Sequence, residues 1–195
     1  MKKKIGFVAA VRGSRALALA GSLLVAGCAH RAVAPSPTTP TTSSAAAVDL
    51  RDVTLAVDAV GGRRVDLAAL RGRAIVVAAL STNDLGGHAL ARNLERLAAA
   101  HGDDLAVLVL ATDGYDAPTL QVALEVFAEV VGLHHAAVAP LPPEVRAGST
   151  PFGEVGLAPL VFLVNRAGRV ARRLEGYQTM AALQSLIAPA LPPGH

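Results

Sequence analysis

The stretch that decides the fold is RGRAIVVAALSTNDLGGHALARNLERLAAA, residues 71–100. Ala74 to Leu80 is an unbroken apolar run, the pattern of a strand covered on both faces. From Leu90 the apolar positions Leu90, Leu94, Leu97 and Ala98 recur at helical spacing, and Gly102 follows as a stop. Between strand and helix lies the polar turn Ser81-Thr82-Asn83-Asp84-Leu85-Gly86-Gly87. In an α/β sheet the carboxyl end of a strand and the positive end of the following helix meet at such a turn, which makes it the place to look for chemistry.

Here the chain resembles the thioredoxin-like superfamily, in particular its TlpA-type and redoxin branch. That branch reads Gly-Lys, an apolar strand, then Ala-Thr-Trp-Cys-x-x-Cys-Arg. Gly72-Arg73, the strand and Ser81-Thr82 match, Asn83 stands where the pattern has Trp, and Asp84 and Gly87 stand where it has its two cysteines. The run Gly156-Leu157-Ala158-Pro159-Leu160-Val161-Phe162-Leu163-Val164-Asn165-Arg166-Ala167-Gly168-Arg169-Val170 resembles the family's cis-proline loop, strand and hairpin, with Pro159 as the cis-proline candidate. The resemblance spans residues 53–188. It implies an α/β thioredoxin-like fold: a central mixed β-sheet flanked by helices on both faces, with an N-terminal β-hairpin.

Around this core the chain divides into three parts: residues 1–27, 28–47 and 48–195. The first carries Lys2, Lys3, Lys4, Arg12 and Arg15, then an apolar run from Ala16 to Ala26 that is too short for a permanent membrane span. It ends in Leu24-Val25-Ala26-Gly27-Cys28, which resembles the lipobox of a bacterial lipoprotein signal peptide, and Cys28 is the single cysteine of the chain. Cleavage before Cys28 would leave a diacylglyceryl thioether and an N-acyl chain such as palmitate, enough acyl chains for stable anchoring. Ala29 after the cysteine resembles the sorting pattern of outer-membrane lipoproteins, with the domain facing the periplasm. Residues 28–47, with Pro35, Pro37, Pro40 and a Ser/Thr run, have too little apolar content to fold and read as a tether.

The domain itself, residues 48–195, is expected to begin with strands at Val53–Val57 and Arg64–Leu67 joined over Gly61-Gly62. Leu105–Leu110 reads as a second buried strand ending in Ala111-Thr112-Asp113. Asp116 caps a helix with Leu120, Leu124, Phe127 and Val131 inward and Gly132 at its end, and Ala136–Ala139 reads as a short strand. Residues 144–152 carry no clear pattern. Leu160–Asn165 and Gly168–Arg173 read as a hairpin, and Thr179 opens a last helix stopped by Pro189.

Composition narrows the function. All five basic residues of the first 27 positions leave with the signal, so the mature chain has 13 Arg against 15 acidic residues, a net charge of −2, and no Lys. No nucleic-acid partner is expected from such a balance. Thiol exchange needs an attacking thiolate and a resolving thiol, and with Cys28 acylated the mature chain offers neither. The expectation is therefore a membrane-anchored thioredoxin-like lipoprotein without redox activity and without a cofactor. It would act as a binding or scaffolding module for a protein or peptide partner in the cell envelope, through Asn83 to Gly87 and the Ala158-Pro159 loop.

Three alternatives stand beside it: a redoxin or TlpA-type oxidoreductase relative with a degenerate site, a copper carrier using His88 with His134 or His135, by resemblance to the Sco-type copper chaperones, and a spacer in an envelope complex. Asp84 has a plainer role as a helix cap, with Ser81-x-x-Asp84 resembling a capping box and Asn83 able to cap as well. Catalysis by Asp84 with Asp113 would require the two carboxylates to share a substrate. If Asp84 and Gly87 occupy the two cysteine positions, replacing both by cysteine should cost on the order of 1 kcal/mol and place two thiols within disulfide reach.

Overall fold

In a computed structural model, the structure describes residues 51–156 and 159–193. The predicted signal peptide, Cys28 and the tether lie outside the described residues, as does Ala158, on which the cis-proline assignment at Pro159 depends.

Among the described residues seven strands and four α-helices follow in the order β1 (Ala56–Ala59), β2 (Arg63–Asp66), β3 (Ala74–Leu80), α1 (Leu85–His101), β4 (Leu105–Ala111), α2 (Ala117–Val131), β5 (Ala137–Pro140), α3 (Pro143–Arg146), β6 (Leu160–Val164), β7 (Val170–Glu175) and α4 (Met180–Ile187). β1 and β2 pair as the expected antiparallel hairpin, and the other five strands form one mixed sheet in the order β5-β4-β3-β6-β7. β3 runs parallel to β4 and antiparallel to β6, and all seven of its residues are buried, so the apolar run is the centre of the sheet.

The two crossovers β3-α1-β4 and β4-α2-β5 move in the same direction across the sheet. A right-handed crossover then puts both helices on the same face. There Ala74, Val76, Ala78 and Leu80 pack with Leu90 and Leu94 of α1, Leu124 and Phe127 of α2, and Leu183 and Ile187 of α4. The opposite face, with Ile75, Val77 and Ala79, is covered by Val57 and Ala59 of the hairpin, Val145 of the one-turn helix α3, and Phe152. Helices thus lie on both faces as predicted, three against one. Phe152 and Phe162 meet on the second face with ring centres 5.1 Å apart and planes tilted by 59°.

Several boundaries differ from the sequence reading. The first strand starts three residues late because residues 52 and 53 are engaged elsewhere: Asp52 bridges Arg169, and the Val53 N–H donates to the Gly168 carbonyl. β7 starts at Val170 because the Asn165 side chain accepts from the N–H groups of both Ala167 and Arg169, which extends the turn. Residues 143–146 form a helical turn opened by Pro143, and Pro189 lies inside a final 3-10 turn that prolongs α4.

Candidate functional site

The polar turn between β3 and α1 is built on one carboxylate. Asp113 follows the end of β4 and is almost fully buried. It accepts from the Ser81 hydroxyl at 2.8 Å, the Thr82 N–H at 2.9 Å, the Thr82 hydroxyl at 3.0 Å and the Asn83 amide nitrogen at 2.8 Å. Burial pushes the Asp113 carboxyl up, but these donors outweigh it and hold the group below the ordinary carboxylate value. An ionised carboxylate only accepts, so the Asn83 NH2 must face Asp113 and its oxygen must face away. The Tyr115 hydroxyl donates to that oxygen at 3.0 Å.

Asp84 is the N-cap of α1. Its carboxylate accepts from the Gly87 N–H at 2.6 Å, and its backbone is extended. The expected capping box is therefore corrected: Ser81 bonds to Asp113 rather than to the helix, and Asn83 is likewise drawn to Asp113 and does not cap. With four donors on it, Asp113 acts as a fastener for the turn rather than as a partner for Asp84 in acid–base chemistry.

Gly87 is buried, and its place in the turn is tight. A Cβ added there would meet the Ser81 carbonyl oxygen at 2.1 Å, far inside van der Waals contact with a backbone atom. The expectation that cysteine at both Asp84 and Gly87 would cost only on the order of 1 kcal/mol is overturned at the second position, where the backbone itself must move. Gly86 is less confined; a Cβ there meets the Asp84 side chain at 3.0 Å.

His88 follows Gly87 and turns inward. Its Nε2 lies 2.8 Å from the Thr82 carbonyl, and since a carbonyl only accepts, Nε2 carries the proton. The ring meets Phe127 of α2 edge-on, centres 5.0 Å apart and nearly perpendicular. His134 and His135 precede β5, at the opposite end of the sheet from His88. Seven residues of β3 separate the two ends, about 20 Å, so His88 does not share a metal site with either. His135 instead pairs with Glu95 at 2.7 Å. Burial pushes the Glu95 carboxyl up, but hydrogen bonds from the backbone of residues 134–136 and the His135 ring hold it below the usual range. Among the described residues no three His, Cys, Asp or Glu side chains gather as metal ligands would.

Pro159 heads β6, whose first residue Leu160 pairs with Ala79 near the end of β3, so Pro159 lies at the same pole as the turn. Its carbonyl accepts from the Gly176 N–H at 2.8 Å. Gly176 leads to Tyr177, whose hydroxyl accepts from the buried Asn93 of α1 at 3.1 Å; Asn93 also donates to the Gln178 carbonyl at 3.2 Å. Tyr115, Tyr177 and Asn93 were not singled out by the sequence reading. A signal was present: Asp113-Gly114-Tyr115 and Glu175-Gly176-Tyr177 repeat an acid-Gly-Tyr pattern at the carboxyl ends of two strands, and they hold the only tyrosines of the chain.

No protein-family model matches the chain. No curated protein matches it either. Solved structures do. A thiol:disulfide interchange protein of the thioredoxin family from Chlorobium tepidum superposes with a TM-score of 0.61 at 18% identity, covering 74% of this chain and 99% of the other. A DsbF homologue from Corynebacterium diphtheriae gives 0.62 at 15% identity, covering 71% and 85%. The exposed lipoprotein thioredoxin Etrx1 of Streptococcus pneumoniae gives 0.58 at 14% identity, covering 69% and 98%. Among the described residues no helix is long and apolar enough to cross a membrane. With its mixed five-stranded sheet, flanking helices and N-terminal hairpin, the chain has the thioredoxin-like fold.

Proposed function

We propose that this chain is a lipid-anchored thioredoxin-like protein of the bacterial envelope that binds a protein or peptide partner without dithiol chemistry. The observation that carries the reading is the turn itself: a carboxylate caps the helix at Asp84, and at Gly87 the backbone leaves no room for any side chain. Cys28, the single cysteine, lies 56 residues before Asp84 in the sequence, within a lipobox-like run. A site that cannot hold a resolving thiol does not complete a disulfide exchange cycle.

What supports a binding role is that the turn is rigid and open. Asp113 fixes Ser81, Thr82 and Asn83 from below, while Asn83, Asp84 and Leu85 are exposed. Preorganised exposed groups on a fixed scaffold lose little entropy on binding. Lipidation at Cys28 would hold this surface at a membrane, with the Pro-containing tether as a spacer.

The test has two arms. The mature chain should show no reduction of insulin by dithiothreitol above the uncatalysed rate, and turnover above it would overturn the loss of redox function. Cells expressing the full chain should incorporate labelled palmitate into it and retain it in the outer-membrane fraction, and Cys28→Ser should abolish both. Label persisting in the Ser variant would remove the anchor.

A further inference from the structure

Among the described residues six large apolar side chains are exposed, and three of them, Leu85, Tyr115 and Tyr177, gather at the pole of the polar turn. Leu85 is the first residue of α1 and is 89% exposed. Tyr115 is tied by its hydroxyl to Asn83, just before the helix, and Tyr177 to Asn93, in its middle. Asn93 lies eight residues beyond Leu85, about 12 Å along the helix axis, which matches about four residues of extended peptide. Half-exposed tyrosines whose rings are already held by a hydrogen bond are good recognition groups, because little rotamer freedom is lost when they are covered.

The two hydroxyls are also polarised in opposite senses. Tyr115 donates its O–H to the Asn83 amide oxygen and keeps its oxygen lone pairs for an incoming donor. Tyr177 accepts a hydrogen bond from the Asn93 amide and keeps its own O–H for an incoming acceptor. A peptide backbone supplies both partners.

The charge at this pole is negative. Asp84 caps α1, Asp116 caps α2, Asp113 lies between them, and Glu175 ends β7. Hydrogen bonds from the Thr119 side chain and N–H hold the Asp116 carboxyl below its ordinary value. Among the described residues three arginines stand near these four acids: Arg173 pairs with Glu175 at 3.1 Å and lies over the Phe162 ring, Arg146 leans on the Thr112 carbonyl at 3.4 Å, and Arg92 of α1 is exposed beside Asn93.

Resting on the binding role proposed above, we infer that the surface of Leu85, Tyr115 and Tyr177 recognises an extended peptide segment that carries arginine or lysine beside apolar residues. The apolar side chains cover Leu85 and the tyrosine rings. The cation meets Asp84, whose carboxylate uses one oxygen on Gly87 and keeps the other.

The experiment uses the mature chain, residues 28–195, with Cys28→Ser to keep it free of lipid, and three fluorescein-labelled octapeptides that alternate Val with Arg, Glu or Ser. Fluorescence anisotropy should show the Arg peptide binding about tenfold or more tighter than the Glu peptide, weakening as salt rises from low to high. Asp84→Asn keeps a capping side chain and removes the charge, and it should cost about fivefold or more for the Arg peptide while leaving the Ser peptide unchanged. Leu85→Ser should weaken the Arg and Ser peptides alike, with the circular dichroism spectrum unaltered. Equal affinity for the Arg and Glu peptides, or binding insensitive to Asp84→Asn and Leu85→Ser, would overturn this inference and leave the binding role standing. Failure of all three peptides to bind would overturn both. A monomer–dimer equilibrium in sedimentation that Leu85→Ser abolishes would assign the surface to a second copy of the chain and equally overturn the inference.

Discussion

Asp113 and Gly87 set the geometry of the turn from two sides, one by accepting four hydrogen bonds and the other by having no side chain. Asp113→Ala strands the donors of Ser81, Thr82 and Asn83 and should destabilise the domain by roughly 2–3 kcal/mol, measured by urea denaturation. The pH dependence has a definite sign. A carboxyl held below its ordinary value in the folded state stabilises above the unfolded value of about 3.9, and that contribution is lost as pH falls through the folded value. Wild type should therefore lose stability on acidification below about pH 4 more steeply than Asp113→Asn, with the urea midpoint followed from pH 5 to pH 2. At the helix cap, Asp84→Ala should cost about 1 kcal/mol and Asp84→Asn only a few tenths.

At the scale of elements, α2 shows how packing and exposure separate along one helix. Phe127 lies in the core and supports the His88 ring, so Phe127→Ala should destabilise by about 3–5 kcal/mol. Val126, next to it, is 54% exposed, and Val126→Ala should stay within about 0.5 kcal/mol; thermal melts of the two variants check the contrast. This helix was fully legible in the sequence: Asp116 as cap, Leu120, Leu124, Phe127 and Val131 inward, and Gly132 with positive φ at the end all follow from local rules. β3 was legible for the same reason, since a strand buried on both faces announces itself by having no polar residue. The start of the hairpin was not, because Asp52 and Val53 are claimed by the distant turn at Gly168 and Arg169, a partnership that no local pattern encodes. The site divides in the same way. Asp84 as cap was readable from one turn of sequence, whereas the grip of Asp113 on residues 81–83 spans some thirty positions and depends on β3 and β4 lying side by side.

For the whole molecule, charge would separate a chain processed at Cys28, as proposed above, from the unprocessed one. The full chain carries 18 basic residues against 15 acidic ones and an isoelectric point near 9.5. Removal of residues 1–27 takes away five of the basic residues and reverses the balance to −2. Isoelectric focusing of envelope extracts should therefore find the mature protein focusing below neutral pH. A band that stays strongly basic would show the first 27 residues still attached.

The contact between Gly87 and the Ser81 carbonyl also bears on how this protein can change over generations. A single codon change at Gly87 that created a cysteine would push a Cβ into a backbone oxygen 2.1 Å away and strain the turn before any second thiol existed to reward it. A dithiol pair at positions 84 and 87 would first require residues 81–87 to relax, and that relaxation loosens the turn fastened to Asp113 while conferring no chemistry.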